Sequence, residues 1–262
     1  PIDLVIFALG ESAVIEEAHA KAWARFGQIL PELVAELPDL RQAIDPRVQC
    51  GMVGPVARRM WSACRPFARD FTTPMAAVAG SVSDEIVDFY RTAGVRRAAI
   101  NNGGDIALHL EAGERMRIAV VPDISDPHAA HDPGKRLHLN IDAANPVRGV
   151  TTSGWQGRSF SLGIADSVTI LALTAAQADA AATAVANAVN VDHPLVVRRP
   201  ARELQPDSDL GDRLVTVAVP ALPETVVHDA LDAGEAKARE LLDANLIAAA
   251  VLVCQGRVRM VG

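Results

Sequence analysis

Val150–Asn190 reads V-T-T-S-G-W-Q-G-R-S-F-S-L-G, I-A-D-S-V-T-I-L-A-L and T-A-A-Q-A-D-A-A-A-T-A-V-A-N-A-V-N, and this stretch decides the fold. The first part predicts a Thr/Ser/Gly turn, the second a β-branched strand and the third a helix made almost entirely of alanine. Because such a helix has little side-chain bulk, its neighbours can approach its backbone closely. Its few polar residues therefore stand out as candidates for a functional site.

The polar residues of this helix have two interpretations. Thr174 followed by Gln177 predicts a capping box at the helix start, which places Asp179 and Thr183 inside the helix. These two are four residues apart and share one face. Either Asp179 faces water and Thr183 bonds back to a carbonyl, or the two oxygens bind a hard cation such as Mg²⁺.

Composition and charge narrow the class of protein. The chain has 262 residues, half of them hydrophobic, and a net charge of −7. That balance argues against nucleic acid or an anionic membrane as partner. Three cysteines without metal-ligand or redox spacing favour a cytoplasmic protein. No apolar run reaches the about 20 residues of a membrane span, and the N-terminus lacks a signal-peptide pattern.

The order of predicted elements favours an α+β fold with antiparallel or mixed sheets and packed long helices. Helices are predicted from Glu11, broken at Pro31 and Pro38, and from Pro223 to Ala244. The remaining predicted strands lie at 95–100, 106–110, 115–121, 137–141, 147–151, 214–219, 246–254 and 257–261. We expect residues 1–262 to form a single domain.

Two further segments poor in side chains are candidates for ligand binding. Thr73-Pro74 predicts a helix start, and the small residues after it leave backbone N–H groups open to an anion. The alternative is that these small residues only allow close helix packing. Asn101–Asp105 contains paired glycines, which suit a hairpin and also a bare surface against which a flat ring or phosphate lies. The hairpin is the safer interpretation.

Two other patterns are better explained by structural roles than by ligand binding. Four arginines, Arg58, Arg59, Arg65 and Arg69, could grip an anion, but a solvated helix face that pairs with acids is favoured. His128 and His131 lie among aspartates in a polar loop, where a metal site is disfavoured because the segment contains prolines.

The order of these motifs resembles the ApbE-like superfamily of FAD:protein FMN transferases, and more closely its shorter ApbE-related branch. The matching text is Asn102-Gly103-Gly104-Asp105-Ile106, Thr152-Ser153-Gly154, Asp166-Ser167-Val168-Thr169 and Ala178–Ala184, and the Thr73–Gly80 run is similar to that branch. The resemblance implies a T-fold-like architecture of two similar halves, with FAD or FMN as ligand and Mg²⁺ near the pyrophosphate.

The resemblance also implies roles for individual residues. It implies Asp179 and Thr183 as metal ligands. Ser153 and Arg158 are candidate catalytic groups from the chemistry of the turn alone, since the shorter branch has a histidine where this chain has Arg158. The resemblance implies that the ligand is lined by Gly103, Gly104, Asp105, Thr152, Ser153 and Gly154. Further candidate flavin-binding residues from the same segments are Thr73, Met75, Ala76, Asn102 and Thr151.

One departure from the superfamily concerns transfer of FMN. The transferases carry a longer segment with a histidine after the Ser-Gly turn, whereas 155–165 is short here and contains no histidine. The leading hypothesis is an ApbE-related protein with a cleft for a flavin or another phosphate-bearing or planar ligand, with FMN transfer as its enzymatic version. Two alternatives stay open beside it. One is a small-molecule hydrolase that uses Thr151, Thr152 or Ser153 as nucleophile, with Arg158 orienting a carboxylate. The other is a non-catalytic ligand-binding protein, and a homo-oligomer is compatible with each of the three.

Overall fold

The computed structural model describes residues 2–120 and 137–262, and its fold is α+β with a large antiparallel sheet and packed helices. The strands are β1 Val5–Gly10, β2 Val95–Asn102, β3 Asp105–Leu110, β4 Arg115–Val120, β5 Leu137–Asp142, β6 Gly149–Ser153, β7 Ser167–Ala172, β8 Val197–Pro200, β9 Leu214–Ala218, β10 Ala249–Cys254 and β11 Arg257–Val261. This confirms the fold class predicted from the sequence. His128 and His131 lie outside the described residues.

Seven α-helices and three 3₁₀ segments accompany these strands in the described residues. The α-helices are α1 Ser12–Ala35, α2 Leu37–Leu40, α3 Pro55–Cys64, α4 Val78–Val87, α5 Ala175–Ala188, α6 Ala201–Leu204 and α7 Glu224–Asp243. The 3₁₀ segments are Arg65–Asp70, Pro74–Ala77 and Asp88–Tyr90. No described helix is long and apolar enough to cross a membrane.

The chain divides into two compact units. The first comprises Pro1–Ile118, Asn140–Thr151 and Leu171–Ala180, and the second comprises Thr152–Ile170, Ala181–Gly262 and the described part of Ala119–Leu139. Whether residues 1–262 behave as a single domain remains a prediction.

The first unit is built on the strand order β1-β2-β3-β6, with antiparallel pairing throughout. The β2–β3 hairpin turns at Gly103 and Gly104, whose φ angles of 67° and 114° suit glycine. The hairpin interpretation of this segment is therefore confirmed. One sheet face packs against α1, α3 and α4, and Ile29, Ile86 and Ile100 are completely buried there.

The second unit contains β7 next to β10, and β10 pairs antiparallel with β11. Helix α7 packs against β10 and β11 through its apolar face, on which Val227, Leu231 and Leu241 are buried. Strands β8 and β9 form a separate antiparallel ribbon.

Two local predictions were wrong. Pro31 does not break the first long helix, because α1 continues through it to Ala35. Pro31 is exposed, whereas Ile29 and Leu33 on either side of it are buried and hold the helix against the core. Thr152 and Ser153, predicted to form a turn with Gly154, belong instead to strand β6.

Candidate functional site

Asp84 of α4 caps the start of α5. Its Oδ1 accepts a hydrogen bond from the Ala175 N–H at 3.1 Å, and its Oδ2 accepts one from the Ala176 N–H at 2.8 Å. The first N–H groups of a helix have no partner within the helix, so a carboxylate there satisfies them and also favours the helix dipole. Asp84 is 4% exposed, and burial of such a charge is tolerated because both of its oxygens are bonded.

Asp179 of α5 caps the start of α4 in the same way. Its Oδ2 accepts a hydrogen bond from the Gly80 N–H at 2.9 Å, and the Ala79 N–H also bonds this carboxylate. Helix α4 begins at Val78, so these are two of its first N–H groups. Asp179 therefore does not simply face water, and the Gly80 N–H is not open to an anion.

Gly80 explains how the two helices come so close. A Cβ at this position would lie 2.3 Å from the Ala175 carbonyl oxygen, a distance that side-chain atoms do not adopt. Gly149 approaches the same turn, because a Cβ there would lie 2.1 Å from the Thr174 carbonyl oxygen. At Gly80 the close-packing alternative is confirmed.

The electrostatics of this cluster disfavour three simultaneous negative charges. Burial raises the pKa of Asp179 well above its usual value, and the negative charges of Asp105 and Asp84 add to that increase. The N–H groups of Gly80 and Ala79 oppose it. Burial also raises the pKa of Asp84, against the opposing effect of its two N–H donors.

The β2–β3 hairpin borders this cluster through hydrogen bonds to α4. Asn102 Nδ2 donates to the Ala79 carbonyl at 3.3 Å, and Ser83 Oγ donates to the Asp105 carbonyl at 2.8 Å. Asp105 is paired in register with Thr151 of β6. Thr151 is 1% exposed, and its Oγ1 has no hydrogen-bond partner among the described residues.

The other predicted residues of the first unit lie near α4. Thr73 precedes the 3₁₀ turn Pro74–Ala77 and is buried, and its carbonyl accepts a hydrogen bond from the Ala76 N–H. Met75 packs against the hydrophobic core. The predicted role of Thr73, Met75 and Ala76 in binding a flavin remains a prediction.

In the second unit, the end of β6 leads into a turn anchored by an acid. Thr152 Oγ1 bonds Thr169 Oγ1 at 2.8 Å, and Gly154 is buried behind the half-buried Ser153. Trp155 Nε1 donates to Asp166 Oδ1 at 3.4 Å, while Asp166 Oδ2 accepts the Gln255 N–H. Asp166 thus joins this turn to the β10–β11 hairpin.

Neither predicted catalytic residue is held by a catalytic partner. Among the described residues, the Ser153 hydroxyl makes no hydrogen bond to a histidine, a lysine or a carboxylate. Arg158 is exposed. Their predicted catalytic roles remain predictions.

The chemistry of α5 suits a divalent cation. Asp179 and Thr183 are one turn apart on this helix, and each keeps part of its surface exposed. A carboxylate can accept about four hydrogen bonds or ligands, so the bonds from Gly80 and Ala79 leave capacity on Asp179. A cation would also offset the repulsion between Asp179 and Asp105. The residues present therefore fit Mg²⁺, although no group of three or more His, Cys, Asp or Glu residues in the described chain has metal-binding geometry.

Sequence reasoning missed Asp84 and the anchoring role of Asp166. Asp84 bonds residues 91 and 92 positions further along the chain, and no local pattern marks such a pairing. The arginine cluster was interpreted correctly at Arg59, which forms ion pairs with Glu85 and Asp88.

The sheet, the helices and the buried carboxylates define an α+β protein in which two helices cap one another beside a glycine hairpin. The chain belongs to the family described as AbpE bacteria, whose model matches residues 1–260.

Archaeal relatives are similar to parts of the chain. A UPF0280 protein of Methanothrix thermoacetophila is 37% identical over 142 residues, which cover 54% of this chain and 55% of that protein. A UPF0280 protein of Methanocella arvoryzae is 33% identical over 162 residues, 61% of each chain. The chain thus spans less than two thirds of the length of these relatives.

Two solved structures show a distant likeness. One is the apo form of the flavinyl transferase ApbE of Pseudomonas stutzeri, with a TM-score of 0.44 and 14% identity over 100% of this chain and 94% of that one. The other is a mutant of the flavin transferase ApbE of Vibrio cholerae, with a TM-score of 0.37 and 15% identity over 73% of this chain and 50% of that one.

Proposed function

We propose that this chain binds a flavin nucleotide, FAD or FMN, together with Mg²⁺ at Asp179 and Thr183. The observation that carries the proposal is the position of Asp179, a carboxylate that is largely desolvated and repelled by Asp105 and Asp84. A divalent cation would add positive charge beside Asp179, whereas Arg59 and Arg91 act on Asp84. Membership of the AbpE bacteria family supports an ApbE-related function.

The roles of the chain's own residues follow from their geometry. Asp84 fixes the first turn of α5 and so sets the position of Asp179 and Thr183 along the helix. Gly103 and Gly104 expose backbone without side chains at the hairpin turn, where a ring or phosphate can approach closely. Mg²⁺, when bound, offsets negative charge on a pyrophosphate.

Fluorescence titration tests the binding proposal. Flavin fluorescence is followed while protein is added to FAD, with Mg²⁺ and then with a chelator. We expect saturable binding that weakens about tenfold or more without Mg²⁺. Absence of binding at high micromolar FAD would contradict the flavin proposal, and binding that is unaffected by the chelator would contradict the metal proposal.

FMN transfer is the enzymatic version of the proposal. In that reaction a protein hydroxyl attacks the FMN phosphorus, the pyrophosphate bond breaks, and AMP leaves. The test is release of AMP from FAD and Mg²⁺ in the presence of a threonine-containing acceptor. AMP formed with a matching FMN mass increase on the acceptor supports transfer, whereas FAD binding without AMP restricts the function to ligand binding.

No contact of the described residues favours the hydrolase alternative. Ser153→Ala tests it, because loss of FAD or ester hydrolysis in this variant would identify Ser153 as the nucleophile. Unchanged hydrolysis by Ser153→Ala would show that Ser153 is not the nucleophile.

A further inference from the structure

From Ala20 onward, the outward side of α1 has few of the charged residues that usually cover a solvated helix face, although Glu16 and Glu17 are exposed one turn earlier. The exposed positions from Ala20 onward are Ala20, Lys21, Trp23, Ala24, Gly27, Gln28, Leu30, Pro31, Val34 and Ala35. Lys21 is the one charged residue among them, and it pairs with Glu17 on the same helix. Trp23 is 77% exposed and Val34 is 57% exposed.

The apolar residues on this side follow the spacing of a helix-packing seam. Ala20, Trp23, Gly27, Leu30 and Val34 are separated alternately by three and four residues, which is the repeat by which two helices pack together. We call these five residues the α1 seam.

The opposite side of α1 is already used by the core of the first unit. Ala22, Ile29 and Leu33 are buried there. Helix α1 therefore has two apolar sides: the inner one packs against the core, and the outer one is exposed. A surface that combines a tryptophan, a leucine and a valine on one helix is typical of an interaction site.

We propose that the α1 seam binds a second copy of the chain, with the two α1 helices antiparallel about a two-fold axis at Gly27. The exposed apolar residues of α1 from Ala20 to Val34, which include Ala24 and Pro31 beside the seam, are symmetric about this residue, as a two-fold interface requires. Ala20 and Val34 lie at equal distances on either side of Gly27, so Val34 faces Ala20 of the partner subunit. Trp23 faces Pro31 of the partner subunit in the same way, and Leu30 faces Ala24 of the partner subunit.

Gly27 supports the position of the axis. A Cβ at Gly27 would meet no atom within 4 Å, so no packing inside the chain requires a glycine there. Glycine is a poor helix former, and its presence in an exposed helix is explained when another backbone approaches closely. Pro31 has no N–H to bond the Gly27 carbonyl, which leaves bare backbone at the centre of the seam.

A second copy fits better than a charged partner. The seam contains no charged residue, and the neighbouring Lys21 pairs with Glu17, whereas the chain as a whole carries a net charge of −7. Placing this uncharged seam at the interface keeps the acidic surfaces of the two copies apart.

The mass of the protein in solution tests the proposal first. Light scattering on purified protein at micromolar concentration is expected to give twice the 27.7 kDa of one chain. Leu30→Glu, at a half-exposed position, is expected to give a folded monomer by circular dichroism. Met260→Glu is the matched control, since Met260 is 65% exposed on β11, and it is expected to remain a dimer. A monomeric wild-type protein, or a dimer that survives Leu30→Glu, overturns the proposal.

Cysteine pairs test the antiparallel arrangement in a Cys50→Ser background. Gly27→Cys is expected to form a disulfide-linked dimer under mild oxidation. A mixture of Ala20→Cys and Val34→Cys chains is expected to cross-link several-fold more than either variant alone. Cross-linking of Ala20→Cys or Val34→Cys with itself, at the yield of the mixture, would show a parallel pair and overturn the arrangement.

Discussion

Asp84 and Asp179 cap each other's helices: Asp84 lies on α4 and caps α5, and Asp179 lies on α5 and caps α4. Each carboxylate satisfies N–H groups that no residue of their own helix can reach. The pairing fixes the ends of the two helices against one another. It also places the buried carboxylate of Asp84 and the half-buried carboxylate of Asp179 in the same electrostatic environment.

Asp84→Asn is expected to lower the free energy of unfolding by about 1–3 kcal/mol. The amide has one acceptor oxygen, so either Ala175 or Ala176 loses its acceptor and faces an NH₂ group instead. Urea denaturation measures the effect. Asp88→Asn is the control, because Asp88 is a surface residue in ion pairs, and its loss is expected to cost under about 1 kcal/mol. Equal effects of the two substitutions would contradict the capping role.

A comparison of Asp179→Asn with Asp179→Ala separates the effect of losing the helix cap from the effect of losing the negative charge. Alanine removes the cap of Gly80 and is expected to cost about 0.5–2 kcal/mol. Asparagine keeps one acceptor and removes the charge that Asp105 repels, so it is expected to be less destabilising than alanine when Mg²⁺ is absent. Thermal unfolding in chelator compares the two variants. An asparagine variant less stable than the alanine variant would contradict this account of the cluster.

Gly80→Ala is expected to destabilise the protein by about 1–3 kcal/mol, since the added Cβ collides with the Ala175 carbonyl oxygen. Gly51→Ala serves as control, because a Cβ at Gly51 meets nothing within 4 Å. Urea denaturation of both variants is the measurement. A stable Gly80→Ala protein would show that α4 and α5 can separate without cost.

Burial of the Tyr90 hydroxyl is expected to make the folded protein less stable at alkaline pH. Burial raises the pKa of Tyr90 from 10.0 to about 12, and its hydroxyl bonds His19 Nδ1 at 2.5 Å. A group whose pKa is higher in the folded state stabilises the fold fully below its unfolded pKa. That contribution is therefore lost as the pH rises from about 10 through 12.

The tyrosinate absorbance band measures this pKa directly, because Tyr90 is the one tyrosine in the chain. We expect a midpoint near pH 12 while the circular dichroism spectrum stays native. Tyr90→Phe is expected to abolish the band. A native protein with a midpoint near 10 would show that Tyr90 is accessible to solvent.

Local patterns were enough to predict the hairpin and the start of α5. Paired glycines with positive φ make the β2–β3 turn, and the Thr174 hydroxyl accepts the Gln177 N–H at 3.2 Å as a helix cap. The second half of the capping box is not formed, since Gln177 Oε1 has no partner among the described residues.

Two features depend on packing between distant parts of the chain, which local sequence patterns do not predict. Pro31 disfavours a helix locally, yet the burial of Ile29 and Leu33 carries α1 through it. Asp179 was expected to face water or bind a cation, and the cap that it provides for α4 depends on Gly80, 99 residues away. Residue spacing marked Asp179 as a candidate functional residue, but its hydrogen-bond partners on α4 are seen only in the fold.

The most direct test of the account is the effect of Mg²⁺ on FAD affinity in Thr183→Val. This substitution keeps the side-chain shape on α5 and removes the hydroxyl that we place beside Mg²⁺, while Asp179 keeps its bonds to α4. Thr225→Val, at an exposed position of α7, is the control. We predict that Mg²⁺ tightens FAD binding about tenfold or more in the wild type and in Thr225→Val but not in Thr183→Val. An undiminished Mg²⁺ effect in Thr183→Val would contradict the proposed site.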